Sequence, residues 1–115
     1  PLMRKDSLHL TDEDRQLIRQ TVKDSDAPHI LITHGTDTMT DTALALADIP
    51  GKTIVLTGSL APARFRDSDA VFNIGCAVGA AQALPVGTWI VMNGRVWEPG
   101  KVRKNRLENR FELID

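Results

Sequence analysis

Within six consecutive residues, Thr33-His34-Gly35-Thr36-Asp37-Thr38, the chain places three hydroxyls, an imidazole, a carboxylate and a glycine. Such a set can donate and accept hydrogen bonds around a small ligand. The apolar run Ile30 to Ile32, just before it, reads as a buried strand, rich in β-branched residues and bounded by polar ones. The polar cluster therefore falls at the carboxyl end of a strand, where open α/β sheets hold their ligands. A competing reading makes Thr38 the cap of the following helix, with Asp41 three residues on as in a capping box. Capping accounts for Thr38 and Asp41 and leaves Thr36 and Asp37 unexplained.

The elements that must position this cluster follow from periodicity. Thr11 and the acids Asp12, Glu13 and Asp14 mark a helix start, since acids favour the positive end of a helix. Leu10, Leu17, Ile18 and Val22 give it an approximate apolar stripe up to about Lys23. Met39 to Ala47 is a short helix with Ala43, Leu44 and Ala47 on one face, closed by the turn Ile49 to Lys52. Thr53 to Thr57 lacks polar alternation, as expected of a strand covered on both faces. A loop from Gly58 leads to a helix between Ser68 and Leu84, where Gly75, Ala77, Gly79, Ala80 and Ala81 form a smooth face suited to packing on a sheet. Thr88 to Met92 is a third strand, and Asn93-Gly94 signals a turn into a short returning arm, Arg95 to Glu98. From Lys101 onward no clear element is read. Alternation of helix and strand gives an α/β fold with a mainly parallel sheet flanked by helices.

Composition narrows the function. At 115 residues, 42% hydrophobic and 25% charged, the chain is one domain or part of one, able to bury a core. A net charge of −1 gives no electrostatic case for nucleic acid or membrane binding. Arg103, Lys104, Arg106 and Arg110 form a basic run, but Glu108 and Glu112 interleave with it, as on a solvated charged face. A single cysteine, Cys76, excludes an internal disulfide and a multi-cysteine metal site, and the three histidines lack the spacing of metal ligands. No apolar stretch reaches the ~20 residues of a membrane span, and no signal-peptide pattern opens the chain. A cytoplasmic location without metal or cofactor is the expectation.

Thr33-His-Gly-Thr-Asp-Thr-Met39 resembles the second signature of the bacterial-type L-asparaginases, amidohydrolases that use threonine as nucleophile. The resemblance extends over nearly the whole chain. Asp6-Ser7 is similar to the family's substrate-gripping serine loop, and Val55-Leu-Thr-Gly-Ser59 to the strand and turn lining its pocket. Asp69 with Phe72-Asn73 is similar to a structural Asp and Phe-Asn pair heading the next helix. Met92-Asn93 followed by Val102-Arg103-Lys104 has the spacing that leads to the family's catalytic lysine. The resemblance implies a Rossmann-like, three-layer domain, part of the asparaginase N-terminal domain.

Amide hydrolysis needs a nucleophile, a base for its proton, and donors for the developing oxyanion. The resemblance implies that Thr36 and Lys104 form a hydroxyl–amine pair oriented by Asp37, and that Asp37 also holds the substrate's α-ammonium. It implies that Ser7 binds the α-carboxylate, that Ser59 contacts substrate mainly through its backbone, and that Gly35 lets backbone approach the ligand without a Cβ in the way. His34 is expected to orient the loop by hydrogen bonds. The implied reaction converts L-asparagine, with L-glutamine as the other candidate, to the acid and ammonia in a homo-oligomer. The family's Thr-Gly-Gly-Thr-Ile turn, which carries the primary nucleophile, and the tyrosine of its lid have no counterpart in the 115 residues. The chain thus reads as the later part of the domain or as a very short member of the family, without the first strand and nucleophile turn. Two other classes stay open: an inactive relative that binds amino acids or a partner chain, and an amidase for glutamine or an amidated, tRNA-bound amino acid.

Overall fold

A computed structural model describes residues 9–60 and 68–114. Helix α1 (Asp12–Asp24) opens on Thr11, whose hydroxyl accepts from the Asp14 amide while the Asp14 carboxylate accepts from the Thr11 amide, a full capping box. Strand β1 (His29–Thr33), helix α2 (Met39–Leu46), strand β2 (Thr53–Thr57), helix α3 (Ala70–Ala83) and strand β3 (Gly87–Met92) follow in alternation. Asn93 (φ 51°) and Gly94 (φ 79°) supply the left-handed turn into β4 (Arg95–Trp97), as their dipeptide predicts. The four strands form one sheet in the order β1-β2-β3-β4, parallel except for β3 with β4.

Pleating divides the core in two. On one face Ile54 and Leu56 of β2 and Ile90 and Met92 of β3 meet Ile18 and Val22 of α1 and Met39, Ala43 and Leu46 of α2. On the other, Val55 and Val91 meet Ala77 and Ala81 of α3. Every residue of β2 is buried, as its unbroken apolar run requires. The three layers are helices, sheet and helix.

Four expectations change. The strand before the motif, read as buried, is only partly so: β1 pairs only with β2 among the described residues, and Leu31 is 38% exposed. In α2 the inward face is Met39, Thr42, Ala43 and Leu46, while Leu44 is exposed. In α3 the expected packing holds for the alanines alone: Ala77 and Ala81 are buried on the sheet and Ala80 packs beside them, whereas Gly75 and Gly79 look into open space. The stretch after Lys101 is a ribbon of β5 (Val102–Asn105) and β6 (Arg110–Leu113), antiparallel, with Val102 and Phe111 entering the core beside α2.

Candidate active site

The turn between β1 and α2 carries the motif. His34 continues the parallel ladder by donating its amide to the Thr57 carbonyl at 2.9 Å, which fixes where the turn leaves the sheet. Thr38 holds the N-cap position of α2 but makes no side-chain cap bond. The capping reading thus fails at the one residue it explained best. Thr36 is buried, and across from it β5 brings in Lys104, whose side chain is only 9% exposed. Lys104 Nζ donates to Thr36 Oγ1 at 2.7 Å and to Asp37 Oδ1 at 2.6 Å. Residues 68 positions apart are therefore in direct contact. The pairing of β5 with β6 orients the lysine: Arg103 turns outward to Glu112 at 2.8 Å, and strand alternation turns Lys104 in. Arg106 Nε stands 3.7 Å from the same Asp37 oxygen, half exposed. A hydroxyl, a carboxylate and a nearly buried cation in one cluster can bind a polar ligand and transfer a proton.

The imidazole of His34 lies beneath the turn. Its Nδ1 is 2.5 Å from the Gly35 carbonyl and its Nε2 is 2.8 Å from Thr42 Oγ1 on α2. A carbonyl only accepts, so Nδ1 carries the hydrogen and Nε2 accepts from the threonine. Burial away from water holds the His34 pKa below its ordinary 6.5, aided by the nearby Arg15 and opposed by the Gly35 bond and Asp41. His34 is thus held by hydrogen bonds as a neutral ring, in its expected orienting place.

Beside the turn lies an open cleft of about 320 Å³, with Thr33, His34 and Gly35 on one wall and Gly58, Ser59, Ala70 and Ile74 on the other. Thr36, Asp37 and Lys104 are not among its lining residues. Ser59 lines it, but the Ser59 hydroxyl donates to Asp69 Oδ1 at 2.5 Å and meets Ser68 at 3.0 Å. Its side chain is committed to the scaffold, which leaves mainly its backbone to face a ligand. Asp69 also accepts from the Leu60 amide, Asn73 Nδ2 and Asn93 Nδ2. Asn73, fully buried, donates to the Gly58 carbonyl at 2.8 Å and accepts from the Asn93 amide at 2.9 Å. Ser7 lies outside the described residues.

Two residues escaped sequence reasoning. A Cβ on Gly58 would collide with the His34 carbonyl oxygen, so this glycine is what lets β2 and the motif turn approach. Its place directly after an unbroken strand was the available signal. Arg15, buried on the inner face of α1, donates from Nε to Thr42 Oγ1 at 3.2 Å. An arginine at a stripe position gave no signal of its own.

The fold and the cluster define a class: an α/β domain with a polar site at the carboxyl end of a mainly parallel sheet. More narrowly, the chain belongs to the asparaginase family, whose description "Asparaginase, N-terminal" matches residues 1–112. It is 34% identical over 110 residues to L-asparaginase 1 of Escherichia coli (strain K12), covering 90% of this chain and 32% of that protein. It is 36% identical over 84 residues to L-asparaginase 2 of Bacillus subtilis (strain 168), covering 69% of this chain and 22% of that one. It is 35% identical over 92 residues to the glutaminase-asparaginase of Acinetobacter glutaminasificans, covering 76% and 28%. The chain spans about a third or less of the length of these curated relatives. Amidohydrolase chemistry is supported at the level of the family. Among the described residues no helix is long and apolar enough to cross a membrane.

Proposed function

We propose that these residues form the activating and substrate-binding half of a threonine-based amidohydrolase site that converts L-asparagine to L-aspartate and ammonia. The observation that supports it most is the contact of Lys104 Nζ with both Thr36 Oγ1 and Asp37 Oδ1. In its amine form Lys104 accepts the Thr36 proton, which leaves an oxygen able to attack an amide carbon or to take a proton from a second hydroxyl or a water. Attack converts the amide to a tetrahedral oxyanion; its collapse breaks the C–N bond, the lysine's proton leaves with ammonia, and water hydrolyses the acyl group. Asp37 Oδ1 faces Lys104, and in this reading the Asp37 carboxylate also takes the substrate ammonium by a charge-assisted bond. Gly35, Ser59 and Ser7 complete the proposed substrate contacts. Asparagine over glutamine, a homo-oligomeric assembly and a cytoplasmic location belong to the same reading.

A second reading, a relative that binds amino acids without hydrolysing amides, is favoured by one observation: the cleft is lined by Thr33, His34, Gly35 and Ser59 but not by Thr36, Asp37 or Lys104. Ammonia release from L-asparagine and L-glutamine by the purified chain separates the two. Turnover is expected to fall about 10²-fold or more in Thr36→Ala and in Lys104→Ala. Calorimetric binding of L-aspartate with no ammonia release at any enzyme concentration would establish the second reading instead.

A further inference from the structure

Arg15 is harder to account for than any other charge in the molecule. It stands on the face of α1 that also carries Ile18 and Val22, and only 10% of its side chain reaches solvent. A guanidinium withdrawn from water needs compensation. Its ion-pair partner among the described residues is Asp12, at 3.4 Å and itself fully exposed, a pairing that contributes little. The better-placed contact is Nε to Thr42 Oγ1, and Thr42 is fully buried.

Three hydrogen bonds then run in one direction. Arginine Nε–H can only donate, so it occupies a lone pair of Thr42 Oγ1. The Thr42 hydroxyl turns its own hydrogen to His34 Nε2. With Nε2 accepting, the ring proton rests on Nδ1 and points at the Gly35 carbonyl. Reversing any link would set two donors or two acceptors against each other. We propose that Arg15 is a positioning residue: by occupying Thr42 Oγ1 it turns the Thr42 hydrogen to His34 Nε2 and, with the Gly35 carbonyl on Nδ1, holds the ring neutral beneath the peptide that presents Thr36 and Asp37. That role matters for function on the reading that Thr36 and Asp37 are the site; the geometric link itself does not depend on it.

The relay gives the turn a dependence on pH. The charges facing His34 are Arg15 from α1, which disfavours a second proton, and Asp41 from α2, which favours it. The exit of β2 presents Gly58, which carries no charge. The ring stays neutral until the pH falls below the ordinary imidazole value; protonation then makes Nε2 a donor, the Thr42 hydroxyl must turn its hydrogen away, and the new charge reaches the turn through the Nδ1–Gly35 bond that both states keep.

Imidazole ¹⁵N NMR of the full chain across a pH titration tests this without an enzymatic assay. Wild-type His34 is expected to show the Nδ1–H tautomer, with the amides of Gly35, Thr36 and Asp37 shifting at the same midpoint as the ring. Arg15→Met is expected to raise that midpoint, while the Gly35 carbonyl keeps the proton of the neutral ring on Nδ1. An unchanged midpoint in Arg15→Met, or turn amides that ignore the ring's titration, would overturn the proposal. Should Arg15→Met fail to fold, Thr42→Ser and Thr42→Val read the same link. The serine is expected to keep the wild-type midpoint and Nε2 shift and the valine to change both, and equal behaviour of the two would count against the relay. A wild-type chain that releases no ammonia yet gives these signals would sink the amidohydrolase reading and leave the relay standing.

Discussion

The two polar clusters that flank the cleft commit their groups differently. At the head of α3, one carboxylate, Asp69, accepts from Ser59, Leu60, Asn73 and Asn93, and Asn73 ties the same hub to Gly58. These four donors are neutral, and they join the exit of β2, the start of α3 and the β3–β4 turn. On the motif side the groups include two cations and are drawn from further away: Lys104 from β5, Arg15 from α1, and the hydroxyl of Thr42 from α2. A carboxylate surrounded by hydrogen-bonded neighbours makes a joint; the hydroxyl of Thr36 facing a nearly buried cation is the pair to which the proposed function assigns proton transfer. One cluster holds the shape of the cleft; the other lies outside the cleft lining.

If that division is right, breaking the α3 cluster should show as stability. Asn73→Leu keeps the branched heavy-atom shape but removes the partners of the Gly58 carbonyl, the Asn93 amide and one Asp69 contact. Stranding buried polar groups costs about 1–3 kcal/mol each, so a loss of roughly 3–5 kcal/mol in denaturant unfolding is expected. A loss below about 1 kcal/mol, within the range of ordinary surface changes, would show that the hub is not a joint.

Gly58→Ala attacks the seam between the clusters. Its new methyl would collide with the His34 carbonyl oxygen and meet the Met39 methyl at 3.1 Å. The first neighbour is backbone and the second is fully buried, so neither yields easily. About 2 kcal/mol of destabilisation is expected, together with displacement of the turn. Amide shifts confined to residues 34–39 in an otherwise unchanged spectrum would confirm where the strain falls; shifts confined to α3 would refute it.

How much of this was legible beforehand follows from the physics of each part. The strands at Ile30, Thr53 and Thr88 announce themselves because apolar runs between turn residues have few alternatives. The Asn93-Gly94 turn is as plain, since only such residues take left-handed backbone cheaply. The β5–β6 ribbon was hidden because its stability comes from cross-strand pairs such as Arg103 with Glu112, which the sequence shows only as a mixed-charge run. Lys104 was identified through family spacing alone; nothing local distinguishes it from Arg103 until the strand's alternation is known. Arg15 was overlooked for the opposite reason: Leu17 looks like the stripe residue, yet it is half exposed while the arginine is inside. Charge patterns report exposure on average, and a charge recruited under a site is the exception they cannot mark.

The smallest expected effect refines the motif cluster itself, where Asp37 faces two cations of different standing. Lys104 is nearly buried and within hydrogen-bond distance, whereas Arg106 is 58% exposed and 3.7 Å away. An exposed pair at that separation is weak, and each long side chain gives up rotamer freedom to make it. Arg106→Gln is therefore expected to change unfolding free energy by less than about 0.5 kcal/mol, and the difference should vanish near 1 M salt, where charges beyond ~3 Å are screened. A larger, salt-resistant loss would mean that Arg106 is held as tightly as Lys104. Asp37 would then be neutralised from both sides, leaving little of its charge to hold a ligand ammonium.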